Sequence, residues 1–197
     1  MTSEVNATPS APADIVGASK PERWSGIVLV LLIAAAFAMV IGRVVQVASG
    51  PPPPRSGTVA PAFAGPSLDQ GTTTRLEDLR GKVVVLDFWA TWCPPCVASM
   101  PTLDRIHKEL GPRGVVVLGL NQEPGQETMV RAFMRDEGLS LPVVMDSGSI
   151  AASYGVFSFP TSFVLGKDGV VRAVHHGPPS EATLRAEIES ALAETGP

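Results

Sequence analysis

Cys93 and Cys96 are the only cysteines in the 197-residue chain, and two prolines separate them. A bridge that staples a fold gains more from closing a long loop than a short one. This pair therefore reads as reactive or metal-binding, not as scaffold. Half of a zinc site needs two further ligands. There is no third cysteine, and His107, His175 and His176 are not at paired-ligand spacing with the motif. Thiol–disulfide chemistry is favoured over a zinc site and over inert structural cysteines.

The flanking pattern gives the spacing chemical meaning. Val83 to Phe88 is an almost continuous apolar run, the pattern of a buried central strand. Val97, Met100, Leu103, Ile106 and Leu110 then recur at helical spacing. The cysteines thus open a helix just after a strand. A helix N-terminus carries unpaired N–H groups and positive partial charge, which stabilise a thiolate. The thiolate is the attacking species. Cys93 is assigned as an exposed nucleophile. Cys96, one turn later, is assigned as the more buried resolving thiol. Pro94 and Pro95 suit a first helical turn, where missing N–H groups cost little. Asp87 lies within the apolar strand, six residues before Cys93. Desolvation there should raise its pKa. Trp89 reads as packing, whereas Trp92, next to Cys93, reads as a shield for the sulfur and a substrate contact. His175 and His176, at a strand end, read as solvated.

Further elements follow by the same patterns. Val115 to Leu120 predicts a second buried strand. Met129, Val130, Phe133 and Met134 predict a helix stopped by Gly138, with both methionines in the core rather than in a soft-metal site. Pro142 to Met145 predicts a short strand. Ser162 to Leu165 and Val170 to Val174, joined through Gly166 and Gly169, predict a hairpin. Ser180 is the predicted N-cap of a last helix whose inner face carries Leu184, Ile188, Ala191 and Leu192. The sum is an α/β sandwich with a mixed sheet.

Upstream, residues 1–23 are rich in Ser, Ala, Pro and Thr and are expected to be disordered. Residues 24–43 form a nearly uninterrupted apolar block, long enough as a helix to span a bilayer. Trp24 and Arg43 would mark its two interfaces. A cleaved signal peptide is the competing reading, with Val47-Ala48-Ser49 as a weak cleavage site. Lys20 and Arg23 before the block are matched by Arg43 and Arg55 after it, so basic residues do not set the orientation. Residues 44–57 include Pro51 to Pro54 and read as a stiff spacer. The domain is expected over 58–197. Residues 56–197 hold 11 basic and 16 acidic side chains. A mildly acidic domain without a basic run argues against nucleic-acid binding.

Asp87-Phe88-Trp89-Ala90-Thr91-Trp92-Cys93-Pro94-Pro95-Cys96 closely resembles the active-site stretch of the thioredoxin superfamily. The anchor, the spacer and the domain length resemble the TlpA/ResA branch of membrane-anchored bacterial oxidoreductases. Leu79-Arg80-Gly81-Lys82-Val83, Pro101 and Gly155-Val156-Phe157-Ser158-Phe159-Pro160-Thr161 carry the likeness further. The resemblance implies a thioredoxin-like three-layer sandwich with a central mixed sheet, preceded by one transmembrane helix. It implies that Pro160 is a cis-proline facing the cysteines. Trp92, Pro94, Pro95, Phe159, Pro160 and Thr161 would meet substrate. Asp87 would relay a proton to or from Cys96. No cofactor beyond the redox-active cysteine pair is implied. The implied partners are a protein disulfide substrate and a membrane thiol electron donor. The implied location is the bacterial cytoplasmic membrane, single-pass, with the domain facing the periplasm or cell exterior. The branch includes reductases that serve cytochrome c maturation. Its members often carry a glutamate three residues after the second cysteine; this chain has Ser99 there. Alternatives are a disulfide oxidase or isomerase, and a non-enzymatic adaptor or copper-delivery module. A thiol peroxidase would need a different motif around its cysteine.

Overall fold

The computed structural model describes residues 23–48, 52–69 and 71–194. Expectations about residues 1–22, about the Trp24 side chain and about Ser49 lie outside the described residues. Contacts divide the chain into two units, Met1–Gly50 and Pro51–Pro197.

Among the described residues the first unit is a helix, α1 (Arg23–Ala48). Its stretch Gly26–Arg43 is long and apolar enough to cross a membrane. The helix runs five residues past the expected end of the apolar block. Nothing between Arg43 and Ala48 stops it, because Val, Gln and Ala all tolerate helix.

The second unit is built on a five-stranded sheet. Its members are β3 (Val83–Trp89), β4 (Val115–Asn121), β5 (Val143–Met145), β6 (Thr161–Leu165) and β7 (Val171–His176), in the spatial order β5-β4-β3-β6-β7. β3 pairs in parallel with β4, and β4 with β5; β3 and β7 flank β6 antiparallel. The sheet is therefore mixed. Parallel neighbours need a crossover. α2 (Pro94–Leu110) links β3 to β4, and α3 (Glu127–Asp136) links β4 to β5. α4 (Ser149–Ser153) precedes β6, and α5 (Glu181–Ala193) follows β7. A two-stranded ribbon, β1 (Ala64–Pro66) against β2 (Thr73–Arg75), stands before β3.

β3 is buried along its whole length, so both of its faces must be covered. Val83, Val85 and Trp89 face a core completed by α2, α3 and α5, with Met100, Ile106, Val130, Leu184 and Ile188. Val84, Leu86 and Phe88 face the other core, with Tyr154, Phe163 and α4. This is a thioredoxin-like fold. Side chains alternate along a strand. Asp87 therefore points to the first core, the one that also contains Cys96. Beside it in register lies Gly119 on β4. A Cβ at Gly119 would sit 2.8 Å from Trp89 Nε1, so the large indole occupies the space that glycine leaves.

Three expectations need correction. The spacer reading of residues 44–57 fails at its C-terminal end. Pro54 is buried. The Gly57 N–H donates to Val171 O at 2.8 Å, and Ser56 Oγ donates to Arg172 O at 2.9 Å. These residues thus extend the sheet edge instead of standing off it. Met129 is exposed, because Val130, Phe133 and Met134 already fill the inner face of α3. His175 is not solvated. It faces α5, where its Nε2 lies 2.7 Å from Glu187 Oε2.

Candidate active site

Local chain chemistry places the cysteines. β3 ends at Trp89, and the Cys93 N–H donates back to Ala90 O at 3.2 Å, closing a turn. Cys93 is the N-cap of α2, with extended backbone. Pro94 and Pro95 then occupy the first helical turn and have no N–H to offer. The Cys96 N–H is thus the first donor of the helix, and it points at Cys93 Sγ from 3.3 Å. The two prolines leave the nucleophile one local backbone partner. That partner favours a thiolate at Cys93, reinforced by the positive end of the helix. The cysteines are joined in a disulfide, with Cα atoms 5.3 Å apart.

Cys93 is 4% exposed and Cys96 0%. The expected order holds, but the expectation of an exposed Cys93 does not. In the oxidised pair Sγ of Cys93 is bonded to the buried Cys96.

Asp87 is buried and accepts one hydrogen bond, from Ser162 Oγ to Oδ1 at 3.1 Å. Its Oδ2 is buried with no hydrogen-bond partner among the described residues. Burial pushes the carboxyl from 3.8 up to about 7, against the smaller opposing effect of the Ser162 hydroxyl. A carboxyl at that value exchanges protons near neutral pH. It lines a groove of about 530 Å³ between α2 and the start of α5, together with Pro95, Ala98, Ser99 and Pro179.

The rim of the pair is aromatic. Trp92 is 66% exposed, and its ring lies 6.0 Å from that of half-buried Phe159, edge to face. Phe157 is 94% exposed. The Phe159–Pro160 peptide bond is cis. Pro94 and Pro95 are exposed. Pro160 and Thr161 are not. Thr161 is buried and its hydroxyl donates to Ser158 O at 2.9 Å, so its side chain braces the loop and does not face a partner.

One functional group escaped the sequence reading. Glu123, just beyond β4, is buried against Thr91 in the turn that leads to Cys93. Its partner lies 32 residues away in sequence. The only signal was an Asn121-Gln122-Glu123 run at a strand end.

A family model described as the AhpC/TSA family matches residues 56–174. The chain belongs to the AhpC/TSA family. Among its relatives is the thioredoxin-like protein YneN of Bacillus subtilis, 34% identical over 136 residues, 68% of this chain and 79% of YneN. The thiol–disulfide oxidoreductase ResA of Halalkalibacterium halodurans is 34% identical over 137 residues, 68% of this chain and 76% of ResA. A solved thiol:disulfide interchange protein of the thioredoxin family from Chlorobium tepidum superposes with a TM-score of 0.63 at 31% identity, covering 71% of this chain and 98% of that one. This AhpC/TSA-family chain is a thiol–disulfide oxidoreductase of the ResA type.

Proposed function

We propose that the protein is a membrane-tethered reductase of protein disulfides outside the cytoplasmic membrane, serving cytochrome c maturation or a similar thiol-requiring process. The observation that carries this reading is the Cys93–Cys96 pair at the α2 N-terminus with a buried, readily protonated carboxyl on the same core face of β3. The apolar α1 supports the tether, which raises the local concentration of the domain near membrane-bound partners.

The Cys93 thiolate attacks one sulfur of a substrate disulfide. The substrate S–S bond breaks, a mixed disulfide forms, and the released substrate thiolate takes a proton from water. Cys96 then gives its proton to the Asp87 carboxylate and attacks Cys93 Sγ. The mixed disulfide breaks, the second substrate sulfur leaves as a thiolate and takes a proton from water, and Asp87 returns the Cys96 proton to solvent. Two electrons and two protons have passed to substrate, and the oxidised pair remains. A dithiol donor in the membrane reverses these steps and restores the enzyme.

The lip supports one class of substrate. Residues 88–103 and 147–166, which supply Trp92, Phe157 and Phe159, contain no charged side chain. An uncharged aromatic rim receives unfolded polypeptide through apolar side chains next to the disulfide. The test uses the reduced full chain in mild detergent with a disulfide-bonded, unfolded polypeptide. The expected result is stoichiometric reduction of the polypeptide. Phe157→Ser should raise KM about threefold to tenfold with kcat nearly unchanged, as for lost uniform binding. Failure to reduce the polypeptide, with rapid oxidation of its free thiols by the disulfide form, would overturn the reading.

A further inference from the structure

The nucleophile needs a fixed height above the helix mouth, yet little in its own loop supplies this. Trp92 is mostly exposed, and Cys93 makes one backbone contact to Ala90. The rigid partner lies across the sheet. Glu123 is 8% exposed. Its Oε2 accepts from the Thr91 N–H at 2.7 Å, and its Oε1 accepts from the Thr91 hydroxyl at 2.7 Å. Asn121, fully buried at the end of β4, holds the other side. Its Nδ2 donates to Glu123 Oε2 at 3.0 Å, and its Oδ1 accepts from the Glu123 N–H at 2.9 Å. The neighbouring Gln122 N–H donates to Trp89 O at 3.0 Å.

We propose that Glu123 is a positioning residue for the thiol chemistry: gripped by Asn121, it clamps Thr91 and so fixes where Cys93 stands relative to the Cys96 N–H. Among the described residues no cation lies within ion-pairing distance of Glu123. Three donors compensate the carboxylate instead. A buried carboxylate held this way is costly to leave unpaired, so its donors are held firmly. The clamp joins the ends of two adjacent parallel strands. Released, the turn lets Cys93 Sγ drift from its single backbone donor. The thiolate then loses stabilisation, the Cys93 thiol pKa rises, and the pair becomes more reducing.

The chemistry of the amide separates position from charge. A glutamine at 123 can accept from Thr91 N–H and Asn121 Nδ2 with its oxygen. Its NH₂ can donate to Thr91 Oγ1, since a hydroxyl serves as acceptor as well as donor. E123Q therefore keeps the clamp without the charge, whereas E123A loses it.

The inference rests on the proposed thiol chemistry, so the test reads the pair itself. In the reduced full chain in detergent, alkylation of Cys93 by iodoacetamide is followed against pH, and the equilibrium with glutathione is measured. E123A should alkylate about tenfold more slowly at neutral pH, with its inflection moved to higher pH. Its equilibrium with glutathione should shift about tenfold toward the disulfide, which is about 30 mV for this two-electron couple. E123Q should stay within about twofold of the parent. Thr91→Val, which removes one of the two clamp contacts, should fall between them and covers the case in which E123A does not fold. If E123A and Thr91→Val match the parent in both readouts, no positioning exists. If E123Q is as impaired as E123A, the charge matters and the clamp does not. A parent that neither alkylates at Cys93 nor equilibrates with glutathione would instead refute the thiol chemistry itself.

Discussion

Cys96→Ser should convert the protein from a turnover enzyme into a covalent trap. Cys93 keeps its helix-end position and its Cys96-position backbone donor, because the substitution changes only a side chain. It still attacks a substrate disulfide. The mixed disulfide then has no internal thiol to resolve it. A one-to-one adduct with the substrate polypeptide should accumulate, visible on a non-reducing gel and removed by dithiothreitol. Cys93→Ser should form no adduct and lose turnover by about 10³-fold or more, because a hydroxyl is not ionised at neutral pH and nothing beside it acts as base. The asymmetry is the informative part. Cys93 is the N-cap with slight exposure, and Cys96 is fully buried. An adduct through Cys96 in the Cys93→Ser protein would reverse the assignment.

Asp87→Asn should act on both kinetics and stability. In single turnover the mixed disulfide should form at the parent rate and resolve about 10²-fold more slowly, the range of a lost general base. The parent resolution rate should climb as pH rises through about 7, where Asp87 becomes the carboxylate that accepts the Cys96 proton. The variant should lack that rise. The same carboxyl shapes the stability curve. Its folded pKa of about 7 lies above the unfolded 3.8. Below pH 4 both states hold the proton and the group contributes nothing. Between 4 and 7 the unfolded chain releases it first, so stability falls as pH rises. Above 7 the full penalty stands, at most about 4 kcal/mol at 1.36 kcal/mol per pKa unit. The parent should therefore lose stability between pH 4 and pH 8 by up to that amount more than Asp87→Asn does. Urea unfolding at the two pH values reads the difference. Equal pH dependence of both proteins, with equal resolution rates, would rule out this role for Asp87.

The parts of the site written in local pattern were legible. A six-residue apolar run can only be a buried strand here, and the helical spacing from Val97 onward places the cysteines at its far end. Asp87 was readable because a charge inside such a run must be desolvated. Contacts made across the fold were not readable. Glu123 meets Thr91 across a sequence separation of 32, and Asp104 is buried to accept from the Ser140 and Leu141 N–H groups at 2.7 and 2.8 Å. Neither acid differs in sequence from a solvated one. β1 and β2 have three residues each and no apolar alternation, and α4 has five residues, too short for a periodicity. The burial of Cys93 in the disulfide form is a contact across the turn that its sequence neighbours do not reveal. Met129 and His175 failed for a common reason: periodicity gives a face, but the neighbours on that face decide what is covered.

The reduction potential of the Cys93–Cys96 pair decides the direction of electron flow. It is read in the full chain by equilibration in glutathione or thioredoxin buffers. A value near or below about −250 mV, close to thioredoxin, is expected of a reductase fed by a thiol donor. A value of about −120 to −180 mV, in the range of disulfide-forming and isomerising proteins, would contradict it and make this enzyme a source of disulfides.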